Sequence, residues 1–558
     1  GQNATLTGGG TNDLLAVTGN ASGDAGTGVQ LDGNNTLDNT TLAGNASEGT
    51  GIDIDGPLTN KGNSTVDGKA TDGDGVQLNG AISGGTVNGS SDTGSGIKVD
   101  GDSELDNATL NGNSPDGKGI EIVANLTGNH GSAVHGETAE GSGVDIGQNA
   151  TLTGGGTNDL LAVTGNASGD AGTGVQLDGN NTLDNTTLAG NASEGTGIDI
   201  DGPLTNKGNS TVDGKATDGD GVQLNGAISG GTVNGSSDTG SGIKVDGDSE
   251  LDNATLNGNS PDGKGIEIVA NLTGNHGSAV HGETAEGSGV DIGQNATLTG
   301  GGTNDLLAVT GNASGDTGTG VQLDGNNTLD NTTLAGNAND GHGLEVTGPV
   351  SSTGNTTING NTVGDGYGVH IDGPMSGGLV NGNSANNHGI YLNDYAAINN
   401  ITFGGNAGLG KPLMFIALPE NIGSNVTING KPIDKNSVGG RTNSGSTLIS
   451  TSAPTPTSAP TSLLTPILIS GENTILEQIT QPQEISKHGL LMMKRNQILS
   501  SLDEQILPPL VVTESERDIA ANISVVVCIP EGETTESGPC DTHILGKWKP
   551  LTQTAKQK

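Results

Sequence analysis

"GTGVQLDGNNTLDNTTLAGNASE", residues 26–48, is rich in Gly, Asn and Thr and holds no aromatic and no cationic side chain. Val29 and Leu31 alternate with polar residues, which is the period of a strand with one buried face. Leu37 and Leu42 supply two further aliphatic marks, and Gly, Asn and Asp fill the gaps, as corners with positive φ require. The same sentence returns down the chain. GTGVQLDG at Gly26 is followed by GTGIDIDG at Gly49, GDGVQLNG at Gly73, GSGIKVDG at Gly94, GKGIEIVA at Gly117 and GSGVDIGQ at Gly141. Ile52 with Ile54 and Val76 with Leu78 repeat the first mark, Leu58 and Ile82 the second, and Val66 and Val87 the third.

Three short strands and three turns in ~23 residues make one coil of a solenoid. The expected fold is therefore all-β, a right-handed parallel β-helix. At the ~4.8 Å strand spacing, Val29, Ile52, Val76, Ile97, Ile120 and Val144 stack in one aliphatic column, and some seventeen coils make a rod of roughly 80 Å. A thin core of this kind holds Val, Ile and Leu and has little room for rings. An outer period is laid over the inner one: "GQNATLTGGGTNDLLAVTGNASGD" begins at Gly1, Gly147 and Gly293. Residues 1–146 and 147–292 are identical, and a partial third copy runs over 293–338 before the sequence departs at Asn339. The coil opening at Gly141 is longer than its neighbours, and "GGGTNDLL" at Gly8, Gly154 and Gly300 is expected to project as an extra loop every six coils.

The helix is read over residues 1–415, its last coils diverged, with a cap or transition at 416–446. A Pro/Ser/Thr-rich linker at 447–470 and a C-terminal anchor-like segment at 471–558 follow, the latter with a helical stretch around 485–507 and a strand in "ISVVVCIP". Tyr367, Tyr391, Tyr395, Phe403 and Phe415 are expected to cover the last open strand edge. The chain opens in mid-pattern at Gly1 and reads as the C-terminal part of something longer.

The formal charge is −43, and all three Arg follow residue 440. So acidic a surface repels phosphate backbones, which excludes nucleic acid as a partner. β-Helical enzymes that cleave acidic polysaccharides pair carboxylates with an Arg or Lys that stabilises developing negative charge. The solenoid has carboxylates throughout, no Arg and few Lys, so no catalytic residue is assigned and the chain is read as no enzyme. "DGDG" at Asp72 lacks the spacing of calcium solenoids, and the nine His show no metal-ligand spacing along the sequence. No metal site and no cofactor is expected.

Sequons carry the strongest remaining signal. Asn3, Asn20, Asn34, Asn39, Asn45, Asn63, Asn88, Asn107 and Asn125 all open N-x-[ST] triplets in the first 146 residues. Asn39, Asn63 and Asn107 precede the third aliphatic mark. Asn20, Asn45 and Asn88, with counterparts Asn166, Asn191 and Asn234, are placed at corners, the positions expected to be modified.

The Gly/Asn/Thr-rich 23-residue coil, the dense sequons, the Pro/Ser/Thr linker and Cys528 with Cys540 resemble the exoproteins of bacterial two-partner secretion. The likeness is to the filamentous-haemagglutinin type of adhesin, and within it to the glycosylated high-molecular-weight kind. It implies export through an outer-membrane β-barrel transporter and hexose transfer to sequons by a cytoplasmic N-glycosyltransferase. It further implies a secreted or outer-membrane-tethered protein that binds host glycans, host glycoproteins or other bacterial surface structures. In an oxidising exterior Cys528 and Cys540 are expected to form a disulfide, either a surface anchor or a simple staple. Two rival readings stay open: a stalk whose adhesive part lies upstream, and a polysaccharide-active enzyme.

Overall fold

The computed structural model describes residues 1, 3–10, 13–393, 396–415 and 421–433, with two short strands, Val525–Val526 and Ile544–Leu545. The chain divides into two units, Gly1–Thr455 and Pro456–Lys558. In the second, Val525–Val526 pairs antiparallel with Ile544–Leu545, which places a strand within "ISVVVCIP". The linker at 447–470 and the stretch read as helical lie outside the described residues.

The first unit is a parallel β-helix of about 17 turns with about 24 residues per turn, and no α-helix occurs among the described residues. Each coil lays one strand in each of three sheets. In the first full coil these are Val29–Asp32 (sheet one), Asn35–Asp38 (sheet two) and Thr40–Ala46 (sheet three). Strand alternation sends Val and Leu inward and Gln, Asp and Thr outward. Sheet one stacks as the sequence predicts, with Val29 on Ile52, then Val76, Ile97, Ile120 and Val144. Leu42, Val66 and Val87 do the same in sheet three.

Sheet two departs from simple stacking. Leu37 lies opposite Asn60, while Leu58 lies opposite Asn35; two coils on, Ile82 pairs with both Leu58 and Leu105. A shift of two residues keeps every side chain on its face, so the aliphatic residue can change column at no cost in sidedness. The Asn residues that share these columns are buried: Asn60 is bonded through Nδ2 alone, to the Gly84 carbonyl at 3.1 Å, and Asn35 through both ends of its amide. Asn35, 4% exposed, accepts from the Ala4 amide at 3.0 Å and donates to the Asp32 and Gly33 carbonyls at 3.0 and 2.9 Å. Asn181 and Asn327 repeat this arrangement in the later copies.

Corners with positive φ occur where expected at Gly33 and Gly56, after Asp32 and Asp55. The G-x-G element is different: neither Gly26 nor Gly28, nor their equivalents Gly49, Gly51, Gly73 and Gly75, has positive φ. Its glycines answer a close approach instead. Sheet three carries a glycine in every coil, in register from Gly44 through Gly68, Gly89 and Gly112 to Gly136. A Cβ added at Gly44 would stand 2.1 Å from the Gly51 carbonyl oxygen, and one at Gly68 would stand 2.1 Å from that of Gly75. Two glycine columns thus face each other along the seam where sheet three turns back into sheet one.

Among the described residues, Tyr367, Tyr391 and Phe403 are placed along the sheets and not over the last strand edge. Tyr391 occupies the outward position of its sheet-one strand, opposite His370, and Tyr367, two residues before the strand that holds His370, stacks on Tyr391 with the rings 4.5 Å apart and nearly parallel. Phe403 is fully buried in the sheet-three column between Val380 and Ile428, so the core does admit a ring. Phe415 ends the last sheet-one strand, and Tyr395 lies outside the described residues. The sheet-three edge is covered by backbone: Thr427–Ile428 adds in parallel to Thr402–Phe403, and Lys431–Pro432 then pairs antiparallel with it. Proline there removes a donor from the exposed edge.

The glycine seam predicts a steep, local sensitivity. Gly190→Ala sets a Cβ 2.1 Å from the Gly197 carbonyl oxygen and is expected to cost about 3 kcal/mol of stability. Gly23→Ala, with open space around its Cβ, is the matched control. Thermal melts followed by β circular dichroism check this; equal melting of the two variants contradicts the seam.

Candidate functional site

The outer face of sheet three carries two polar columns side by side. One runs Asn20, Asn45, Lys69, Ser90, and the other Ala43, Asp67, Asn88, Asn111. Asn20, Asn45 and Asn88 therefore sit within strands, as do Asn166, Asn191 and Asn234, and none of the six is at a corner. The reason is the length of the sheet-three strand, which runs to the Ala of each N-A-S triplet and through the whole N-G-S triplet before the coil turns. Their amides bond from coil to coil while facing solvent: Asn45 Nδ2 donates to Asn20 Oδ1 at 2.8 Å, and Asn191 to Asn166 at 2.9 Å. Asn88 donates to Asp67 at 2.7 Å and Asn234 to Asp213 at 2.6 Å. In the last coils Asn312, Asn337, Asn361, Asn383 and Asn406 form an unbroken ladder. An amide of this kind has two N–H groups, so one can stay in the ladder while the nitrogen carries a substituent outward. A shallow groove of about 510 Å³ runs along this face, lined by Asn45, Asp67, Lys69, Asn88, Asn111 and His135 among others.

The true corners belong to Asn39 and Asn107, whose φ values are 50° and 52°. Asn39 is held structurally: Nδ2 donates to Asp38 at 2.9 Å and Oδ1 accepts from the Asn63 amide. Asn63 is not at a like position, since Gly62 takes the left-handed residue of that corner. Both Asn63 and Asn107 are exposed. Cys528 and Cys540 lie outside the described residues.

The surplus loop does not stand away from the rod. Gly156 and Asp159 bridge each other, and the Asp159 carboxylate accepts from the His130 and Gly131 amides of the preceding coil at 2.7 and 2.8 Å. The Thr157 carbonyl accepts from Asn209, two coils further on, at 3.4 Å. Leu161 turns inward over Gly128, filling the space that a larger residue holds in other coils. The third copy repeats these contacts through Asp305, His276 and Gly277. The two amide bonds hold the Asp159 carboxyl below the usual carboxylate range, and the Asp106 carboxylate raises His130. Asp159 therefore contributes above the ordinary carboxylate pKa and loses its contribution as pH falls through the depressed one. His130 contributes below the ordinary imidazole pKa and loses its share as pH rises through the elevated one. The loop is held best between those limits.

The outer face of sheet one bears the acidic column. Burial, then Asp201, Asp178 and Asp246, push Asp199 up to about 6, and burial with Asp55, Asp32 and Asp100 raises Asp53. The "DGDG" carboxylates are absorbed locally: Asp72 accepts from Thr93 Oγ1 at 3.2 Å and Asp74 from the Ser95 amide at 3.2 Å. In the final coils this face changes character, since His342, Glu345, Tyr367, His370, His388 and Tyr391 gather there from three successive coils. Spacing along the sequence hides that gathering, because the partners are one coil apart.

Two expectations follow. A raised carboxyl pKa means the folded state binds more protons between pH 4 and 6, so stability falls as pH rises through that window. Asp199→Asn should stabilise the rod at pH 7 by about 1 kcal/mol after allowance for solvent screening, with the gain vanishing near pH 4; melts at the two pH values measure it. Replacing Asp159 and Asp305 together by Asn should speed amide exchange at His130, Gly131, His276 and Gly277 on the order of tenfold, read by mass spectrometry. Set against known protein families, curated proteins and solved structures, the chain matches none.

Proposed function

We propose that the chain is a secreted or surface-held bacterial adhesin, exported by two-partner secretion and attaching to host cells through a glycosylated β-helical surface. The observation that carries this reading is the outer face of sheet three, where sequon asparagines face solvent in every outer copy of a rigid scaffold. Its groove is open and presents polar side chains such as Asn45, Asp67, Asn88 and Asn111 from successive coils, which suits extended ligands such as surface glycans. Repetition of one weak site along the length would raise attachment by avidity. On this reading the chain is non-catalytic. Its partners are an outer-membrane β-barrel transporter, a cytoplasmic N-glycosyltransferase and host glycans or glycoproteins, and a Cys528–Cys540 disulfide serves retention at the cell surface.

The tied-down loops favour a second reading, a stalk that presents an adhesive region elsewhere. One experiment separates the two. Native protein is mapped by glycopeptide mass spectrometry and tested for adherence to host cells before and after deglycosylation. The adhesin reading expects hexoses on Asn20, Asn45, Asn88, Asn166, Asn191 or Asn234, and adherence by this chain alone. Unmodified asparagines with no adherence leave the stalk.

A further inference from the structure

The final coils of sheet one place two imidazoles and a carboxylate together on the outer face. Nitrogen or oxygen atoms of His342, Glu345 and His370 all lie within 4.8 Å of one another, each side chain half-buried and reachable from solvent. Glu345 Oε1 is 3.1 Å from His370 Nδ1, and His370 Nε2 is 3.2 Å from Asp372 Oδ1. This is the layout of a ligating histidine whose second nitrogen is oriented by a carboxylate. The His342 ring is centred 4.8 Å from the His370 ring, and its Nδ1 accepts from the Tyr367 amide at 3.1 Å. That nitrogen therefore carries a lone pair in the free protein, and coordination would take it in exchange for the amide contact. Tyr367 and Tyr391 pack beside His370 at 5.4 and 5.3 Å and fix its ring.

The second repeat shows what this surface looks like without such a site. Where the final coils have His342, Glu345, His370 and Asp372, the aligned coils have Thr196, Asp199, Gln223 and Asn225. At these four positions one carboxylate and three neutral side chains have become two imidazoles and two carboxylates. In the next coil Lys244, a cation facing Gln223, is matched by the neutral Tyr391 facing His370. Four of these five differences add a ligand, orient one, or remove competing positive charge, and the fifth, Asp199 to Glu345, keeps a carboxylate in place.

We infer that His342, Glu345 and His370 bind a divalent transition ion, with Zn²⁺ the best match to two nitrogens and one carboxylate, and that Asp372 is the positioning residue for His370. Oxygen-seeking Ca²⁺ and Mg²⁺ are disfavoured by the imidazoles. The ion would tie two successive coils together close to the end of the rod.

The test is competition of the full chain against a chromophoric zinc chelator. Wild type is expected to hold one Zn²⁺ that Ca²⁺ in excess does not displace, and to melt at higher temperature when loaded. Glu345→Gln and His370→Gln, both on an outer face, should weaken that site at least tenfold and abolish the zinc-dependent shift in melting. Asp372→Asn should weaken it by a smaller factor, and His130→Gln should leave it unchanged. Zinc binding that survives both Glu345→Gln and His370→Gln, at the Cys pair or anywhere else, overturns the proposal, as does a wild-type chain without a saturable site. Circular dichroism of the variants without zinc confirms that they fold.

Discussion

The close passage of two backbones is the constraint on which this rod rests. Where sheet three turns into sheet one, facing glycines leave no room for a Cβ on either side; the atom would meet a carbonyl oxygen at 2.1 Å at Gly44, Gly112 and Gly190 alike. Closing the coil there brings Val, Ile and Leu from three sheets into one continuous core. It also explains the composition, since a chain that must supply glycine at several positions in every ~24-residue turn becomes glycine-rich without becoming disordered. Ordering so much glycine is entropically costly, and only the stacking of each coil on its neighbours offsets it.

Much of the fold was legible because period two and the coil repeat are written directly in the aliphatic residues. Val29, Ile52 and Val76 needed no structure to be placed in one column. The role of G-x-G was not legible, because a glycine required for close approach and one required for positive φ look the same in sequence. The column shift in sheet two was hidden for a related reason: Asn35 and Leu37 both face inward, and pattern alone does not say which meets Leu58.

Site residues were legible in identity and poorly legible in place. Asn20, Asn45 and Asn88 stood out as sequons, but the length of the sheet-three strand, and so their place within it, depended on where the chain turns. The cluster around His370 was missed for a clearer reason. Sequence motifs for metal ligands are looked for within one helix or loop, at separations of a few residues. In a solenoid the neighbours of a residue lie one coil away, so Glu345 and His370, twenty-five positions apart, are adjacent strand partners. Searching at the coil period would have found them.

The loop held by Asp159 has a mechanical consequence. A solenoid whose coils touch only their neighbours comes apart as a zip does, each lost coil exposing the next. This loop grips the coil before it through His130 and Gly131 and, through Asn209, a coil two places after. An opening that travels along the rod must break those ties together before it can pass. Recurring in the third copy, the loop divides the rod into segments that resist peeling, much as rivets placed at intervals stop a tear in a sheet of metal.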